Sequence, residues 1–234
     1  MVTRLRIIAL AAAVALLGQL GTANAEVIGP LLKDGAFELG AQLRYVHRDY
    51  KEASGSPPQN NVFDDADGML FFRCGVTSTA TLSGEALVGN TKASDWEHDC
   101  GDARYYLVGA GLQALLSEFR GFMCTFGIHG TASFEFDRTE NHVDREYQTA
   151  IGTILVEKRF TLYGQRIDLL AGPSYWYANE KEFRDWSFPV RSTAVDPWGG
   201  MAGITATLYT HYTVFGQVVY AGHAQPRFGL SYSF

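Results

Sequence analysis

The sequence predicts an all-β fold, an antiparallel up-and-down transmembrane β-barrel of about ten strands. Three observations support it: apolar and polar residues alternate over segments of about ten residues, short and long connections follow one another, and aromatic residues collect near both ends of the predicted strands. The chain has 234 residues, 13% of them aromatic, with 25 glycines and a mean hydropathy of −0.06. A near-neutral hydropathy fits a barrel, because every second strand residue faces a polar interior.

The first 25 residues have the features of a secretory signal. Arg4 and Arg6 form a positive start, residues 7–17 are an uncharged apolar run, and residues 23–25 (Ala-Asn-Ala) match a cleavage site. The run is too short for a helix that spans a bilayer, which needs about 20 residues, and no stop-transfer pattern supports the alternative of an N-terminal anchor. We expect cleavage after Ala25, which leaves residues 26–234 as one barrel domain.

Two segments show the alternation best, because their apolar and polar residues separate onto two faces of a strand. In the first segment the apolar face is Phe37, Leu39, Ala41, Leu43 and Tyr45, and the polar face is Glu38, Gln42, Arg44 and Arg48. In the second the apolar face is Phe122, Cys124, Phe126, Ile128, Ala132, Phe134 and Phe136, and the polar face is Thr125, His129, Thr131, Ser133, Glu135 and Asp137.

We predict strands near residues 36–48, 68–77, 80–91, 103–115, 121–137, 145–159, 162–178, 197–209, 212–222 and 226–234. The sixth, seventh and ninth alternate poorly, so eight or twelve strands stay open. Short turns are predicted at 77–80, 116–120, 160–161 and 210–211, and long polar loops at 49–67, 92–102, 138–144 and 179–196. The short connection at 223–225 breaks this trend. An even strand number places both termini on the side of the short turns.

Aromatic residues are expected to form a belt at each membrane interface. The outer belt is predicted to contain Tyr45, Phe63, Tyr147, Tyr175, Trp176, Tyr177 and Trp198, and the inner belt Phe119, Phe122, Phe160, Tyr163, Tyr209 and Tyr212. The alternative fold is a soluble β-sandwich, which does not need aromatic residues at both ends of its strands.

The last seven residues place Phe228, Leu230, Tyr232 and Phe234 on one face of a strand and small residues on the other. This pattern resembles the closing strand of bacterial outer-membrane proteins. The resemblance implies a barrel in the outer membrane of a Gram-negative-type bacterium, recognised by the barrel-assembly machinery through this strand and surrounded by lipid and lipopolysaccharide. It does not narrow the family further.

The polar residues of the predicted interior are candidate site residues. We expect Arg44, Arg73, Glu85, His129, Ser133 and Glu135, together with Glu38, to fill the lumen, with opposite charges paired across it. A serine, a histidine and a carboxylate are ingredients of nucleophilic catalysis. However, His129 and Ser133 are four residues apart on one strand, about 13 Å, and a base must lie about 3 Å from its nucleophile. We therefore assign no catalytic residue.

Neither of two enzyme families of small barrels fits. Lipid A deacylases would need a His-x-Ser pair in the last strands, and omptin proteases an Asp-x-His, and the sequence has neither. Acidic groups in the predicted outer loops (Asp64, Asp65 and Asp67; Asp95, Glu97, Asp99 and Asp102) lack the spacing of an EF-hand, so we assign no metal and no cofactor. Basic residues near them (Lys92, Arg104, Arg138 and Arg145) are suited to lipopolysaccharide phosphates.

Composition narrows the function classes further. The formal net charge of −6 argues against a nucleic-acid binder. Three cysteines (Cys74, Cys100 and Cys124) allow at most one disulfide, and the predicted placement of Cys74 and Cys124 on distant strands disfavours one between them. The leading hypothesis is a non-enzymatic barrel with a structural, surface-interaction or narrow-pore role. The alternatives are a hydrolase acting on lipid A or peptides, and a small-solute channel.

Overall fold

A computed structural model describes residues 29–52, 60–94, 99–136, 143–182, 190–194, 197–221 and 223–234. Eleven antiparallel strands form one sheet: β1 (Phe37–Glu52), β2 (Asn60–Thr77), β3 (Ala80–Ser94), β4 (Asp99–Phe119), β5 (Phe122–Phe136), β6 (Val143–Leu162), β7 (Gln165–Glu182), β8 (Val190–Ala194), β9 (Trp198–Leu208), β10 (Tyr212–Ala221) and β11 (His223–Ser233). The sheet closes on itself because β11 pairs with β1, with Glu38 opposite Ser233 and Arg44 opposite Arg227.

Ten of these strands form the barrel wall, which confirms the predicted fold and its strand number. The additional strand, β8, has only five residues and pairs with the outer ends of β7 and β1, through Glu180 and Lys51 among others. It lies beyond β9, whose pairing with β7 ends at Tyr175 and Trp198. In the described part of the chain, no helix is long and apolar enough to cross a membrane.

The outer surface of the barrel is apolar, as the alternation predicts. On β1, Leu39 and Leu43 are 51% and 68% exposed, whereas their polar neighbours Glu38, Gln42 and Arg44 are buried. A surface of exposed apolar residues is the one that a transmembrane barrel turns toward lipid. The backbone N–H and C=O groups, in turn, pair between neighbouring strands of the closed sheet.

The inner turns lie closer to the next strand than predicted. β4 continues to Phe119 and β6 to Leu162, so the predicted turns at 116–120 and 160–161 are misplaced. The turn residues Arg120 and Gly121 both have positive φ, as do Tyr163 and Gly164. Two-residue hairpins of this kind need positive φ at both central positions, which favours glycine at the second.

The outer connections are shorter than predicted, because the strands continue into the segments that were taken for loops. β1 reaches Glu52 and β2 begins at Asn60, inside the predicted loop 49–67. Asp64, Asp65 and Asp67 therefore lie on β2, and their side chains are outside the described part. The predicted connection at 223–225 is also wrong, since His223 already pairs with Ala221 as part of β11.

Exposed aromatic residues lie near both ends of the barrel wall, with one correction; the side chains of Phe63 and Tyr147 lie outside the described part. Phe119, Tyr163 and Tyr209 near the inner turns are 67%, 94% and 78% exposed, and Tyr175 and Trp198 form an exposed edge-to-face pair at the outer end. Trp176, however, does not belong to the outer belt: it is 5% exposed and its indole N–H donates to Ser174 in the lumen. It lies between Tyr175 and Tyr177 on the strand, and successive residues of a strand face opposite sides.

Candidate functional site in the barrel lumen

A buried ion pair lies at the closing seam of the barrel. The guanidinium of Arg73 on β2 donates to the carboxylate of Glu38 on β1 at 2.9 Å, and both side chains are 4% exposed. Glu38 also accepts a hydrogen bond from the Ser231 hydroxyl on β11. One carboxylate therefore links the first, second and last strands, and its charge is compensated inside the lumen as burial requires.

A second buried pair joins β3 to β5. Nε2 of His129 lies 2.8 Å from Oε1 of Glu85, with both side chains almost fully enclosed. A histidine held by a carboxylate can serve as a general base only if a nucleophile lies within about 3 Å of it. The Ser83 side chain borders the same space above Gly111 as His129, but no hydrogen bond joins the two among the described residues. The arrangement is thus a histidine–carboxylate pair without an activated nucleophile.

Large lumen side chains lie over glycines on the neighbouring strand. In each case the two residues are direct register partners, and a Cβ on the glycine would overlap the larger side chain. The pairs are Phe71 with Gly40, Glu85 with Gly109, His129 with Gly111, Thr153 with Gly127, Gln217 with Gly203 and Phe215 with Gly229. Glycine here makes room for its neighbour, so that the interior fills without strain.

Part of the lumen is apolar. One cluster consists of Met69, Phe71, Leu87, Leu107 and Phe215, and a second of Ile151, Leu155, Leu170, Trp176, Met201 and Val219. The second cluster explains why the sixth predicted strand alternates poorly: Ile151 and Leu155 face the lumen, whereas Ile154 and Val156 are about half exposed on the outside. These two parts of the lumen are packed in the manner of a protein core.

A third polar group lies near the inner turns, and sequence analysis missed it. Asp168 on β7 is completely buried and accepts hydrogen bonds from Arg159 at 2.9 Å and from Arg166 at 2.6 Å. Glu157 lies beside them, 3.4 Å from Arg159. The sequence does carry a signal: charged residues lie two positions apart on each strand of the β6–β7 hairpin. They are Glu157 and Arg159 on β6, and Arg166 and Asp168 on β7.

The structure brings together some of the predicted site residues and separates others. Arg73 pairs with Glu38 on the adjacent strand, and His129 pairs with Glu85 on β3, whereas Ser133 belongs to neither pair. Arg44 is 3% exposed and Ser133 1% exposed, both inside the barrel.

Arg44 lies opposite another buried arginine, Arg227, at the closing seam. Glu135 lies on β5 opposite Tyr105, but its side chain is outside the described part. Cys74 and Cys124 carry free thiols, while the side chain of Cys100 is not among those described. Within the described residues no group of three or more His, Cys, Asp or Glu side chains is arranged to hold a metal ion.

Phe228, Leu230, Tyr232 and Phe234, predicted to be the assembly signal, lie on the outer face of the closing strand and are 37–71% exposed. Phe228 and Leu230 lie opposite Leu43 and Ala41 of β1. The backbone N–H of Phe234 donates to the carbonyl of Phe37 at 2.8 Å. These residues therefore form the outer surface of the seam between the first and last strands.

No protein-family model and no curated protein matches the chain. Among solved structures, it is similar to an outer membrane channel from Pseudomonas putida F1, with 11% identity and a TM-score of 0.41 over 89% of this chain and 100% of that one. It is also similar to the outer membrane protease OmpT from Escherichia coli (8% identity, TM-score 0.45, 88% of this chain and 99% of that one). A third similar structure is Ail, the attachment invasion locus protein of Yersinia pestis (12% identity, TM-score 0.33, covering 86% of this chain and 99% of that one). At these identities the likeness concerns the fold alone.

Proposed function

We propose that this protein is a closed, non-enzymatic barrel of the bacterial outer membrane, with a structural or surface-interaction role. The observation that carries the proposal is the lumen lining, in which the carboxylates of Glu38 and Glu85 have buried partners and aromatic rings lie over glycines. A ten-stranded barrel is narrow enough for side chains to occupy its interior. The strands β1, β2, β4, β6 and β7 have 16–21 residues, more than the 9–11 needed to cross a bilayer, so the wall offers a surface beyond the membrane.

Placement in the outer membrane is supported by features of the chain itself. The apolar exterior needs lipid, and the N-terminal segment has the pattern of a secretory signal cleaved after Ala25. The exposed apolar face of β11, from Phe228 to Phe234, is the surface that the barrel-assembly machinery would read. Lipopolysaccharide is the expected neighbour of the extended outer wall.

The test is conductance of the purified protein in planar bilayers. A closed lumen predicts no steady single-channel current, whereas an open small-solute channel would give one under the same conditions. Folding must be shown independently: protein from the same reconstituted sample should shift its gel mobility on boiling. Steady current from inserted, folded protein would overturn the closed-barrel proposal and favour the channel.

A hydrolase acting on lipid A or peptides is the second candidate, because His129 and Glu85 form a base–carboxylate pair next to Ser83. Incubation of the reconstituted barrel with lipid A and with peptides checks it. If the unmutated barrel forms hydrolysis product and both the His129→Ala and Ser83→Ala variants form none, the protein is a hydrolase and the non-enzymatic proposal is wrong. The matched control is Ser133→Ala, which changes another buried serine on the lumen face.

A further inference from the structure

The residues that precede β1 turn back into the inner mouth of the barrel. Gly29, Pro30 and Leu31 are buried, and the segment 29–34 reaches β1 through a turn at Gly35, where φ is +74°. Because β1 itself begins at Phe37 in the wall, the buried residues before it lie inside the wall. We propose that residues 29–34 are a built-in stopper of the inner mouth, and that their release opens the lumen from that side.

The first anchor of this stopper is Arg73. Its guanidinium donates one hydrogen bond to Glu38 at 2.9 Å and another to the carbonyl of Pro30 at 2.7 Å. Both bonds are buried, and the planar fork of arginine suits two acceptors at once. The backbone N–H of Leu32 adds a bond to the Thr81 hydroxyl on β3 at 3.0 Å. The stopper is thus bound to lumen-facing side chains of β2 and β3.

The second anchor is Gly75, near the inner end of β2. Gly35 donates to the Gly75 carbonyl at 2.8 Å, and Gly75 donates to the Ala36 carbonyl at 2.9 Å. The register between β2 and β3 shifts between Gly75 and Thr77, where the strand forms a bulge. A Cβ at Gly75 would overlap the Lys33 carbonyl, so the stopper can approach the wall only where the side chain is missing.

The two anchors differ in what they hold. Arg73 is also part of the ion pair at the closing seam, so its removal would disturb the wall as well. Gly75 contacts the stopper through backbone atoms, and a methyl group there displaces the stopper while leaving the paired charges intact. The inference rests on the closed-barrel proposal, because residues 29–34 can act as a stopper only if the unmutated barrel does not conduct.

The experiment compares four proteins in planar bilayers: the unmutated barrel, Gly75→Ala, a deletion of residues 29–34, and the control Gly152→Ala. A Cβ at Gly152 meets nothing within 4 Å, so the control makes the same chemical change in a strand without touching the stopper. We expect discrete openings from Gly75→Ala and from the deletion, and baseline current from the unmutated protein and the control. Hydrogen exchange at the backbone amide of position 75 should become faster in Gly75→Ala and in the deletion variant.

The outcomes separate this inference from the function on which it rests. Steady current through the unmutated barrel overturns the closed-barrel proposal. A silent unmutated barrel together with a silent, folded deletion variant overturns the stopper alone. If Gly75→Ala does not assemble, which loss of its gel-mobility shift would reveal, the deletion decides the matter, because it leaves every strand of the wall intact.

Discussion

The rings of Phe71 and Phe215 meet edge to face inside the barrel, with their centroids 5.8 Å apart and their planes at 66°. Phe71 lies over its register partner Gly40 on β1, and Phe215 lies over its register partner Gly229 on β11. The two strands that carry the glycines are the first and the last of the barrel. The aromatic pair therefore spans the closing seam from the lumen side.

Truncation of Phe71 to alanine should destabilise the barrel by about 3–5 kcal/mol, because it removes a buried ring and leaves a cavity above Gly40. Urea unfolding in lipid vesicles, followed by tryptophan fluorescence, measures this loss. Leu70→Ala is the control, since Leu70 is 66% exposed on the outer face of the same strand. Equal losses in the two variants would show that the lumen ring contributes no more than an outward-facing residue.

The reverse change should also destabilise the seam. A methyl group at Gly40 would fall on the Phe71 ring and about 2.6 Å from the carbonyl of Leu230. Overpacking of this kind costs about 1–3 kcal/mol. Gly40→Ala should therefore lower the urea midpoint, whereas Gly216→Ala should change it little, since its nearest neighbour atom would be 3.4 Å from the new methyl. A Gly40→Ala barrel as stable as the unmutated protein would contradict this account of the seam.

The period of two along the chain was enough to predict the outer face of the barrel, as β1 shows. It was not enough to show what Phe71, two positions from the lumen residue Arg73, would pack against. Its place in the lumen depends on Gly40, thirty-one positions away in the sequence, and only the strand register brings the two together. For the same reason the sequence suggested Arg73 and Glu38 as lumen residues but not that they pair with each other.

The segment before β1 illustrates a second limit. Residues 29–34 have no alternation and no motif, so nothing in their sequence points inward. Their position follows from the bulge at Gly75 and from the second hydrogen bond of Arg73, both properties of another strand. The local alternation of residues therefore predicts the barrel wall, whereas the contents of the lumen depend on pairing between residues far apart in the sequence.

Removal of both members of the Glu85–His129 pair should be less damaging than the two single removals added together. His129→Ala leaves a buried carboxylate with its ring partner gone, which costs about 3–5 kcal/mol. The double variant Glu85→Ala/His129→Ala loses both groups, and its destabilisation should be smaller than the sum of the two single losses. A double-mutant cycle by urea unfolding gives the coupling energy. Strict additivity would mean that the 2.8 Å contact contributes nothing to stability.

Closure of the barrel should make it heat-modifiable. Every wall strand pairs on both sides along most of its length, which leaves few backbone groups for detergent to compete for. The protein should migrate differently on SDS gels before and after boiling, and the Gly152→Ala variant should behave in the same way. Identical mobility in both samples would indicate that the β1–β11 seam does not hold in detergent.

Loss of Phe234 should impair assembly into the outer membrane without preventing export. Its ring packs against Tyr232 at 4.9 Å and against Phe37 of β1 at 6.0 Å, and its N–H donates to the Phe37 carbonyl. A protein lacking Phe234 loses these contacts at the point where the seam begins, whereas Phe234→Tyr keeps the ring and the backbone bond. Fractionation of cells that express each variant measures the outcome. We expect the shortened protein to accumulate in the periplasm with its signal removed and the tyrosine variant to reach the membrane; normal membrane levels of the shortened protein would show that these contacts are dispensable for closing the barrel.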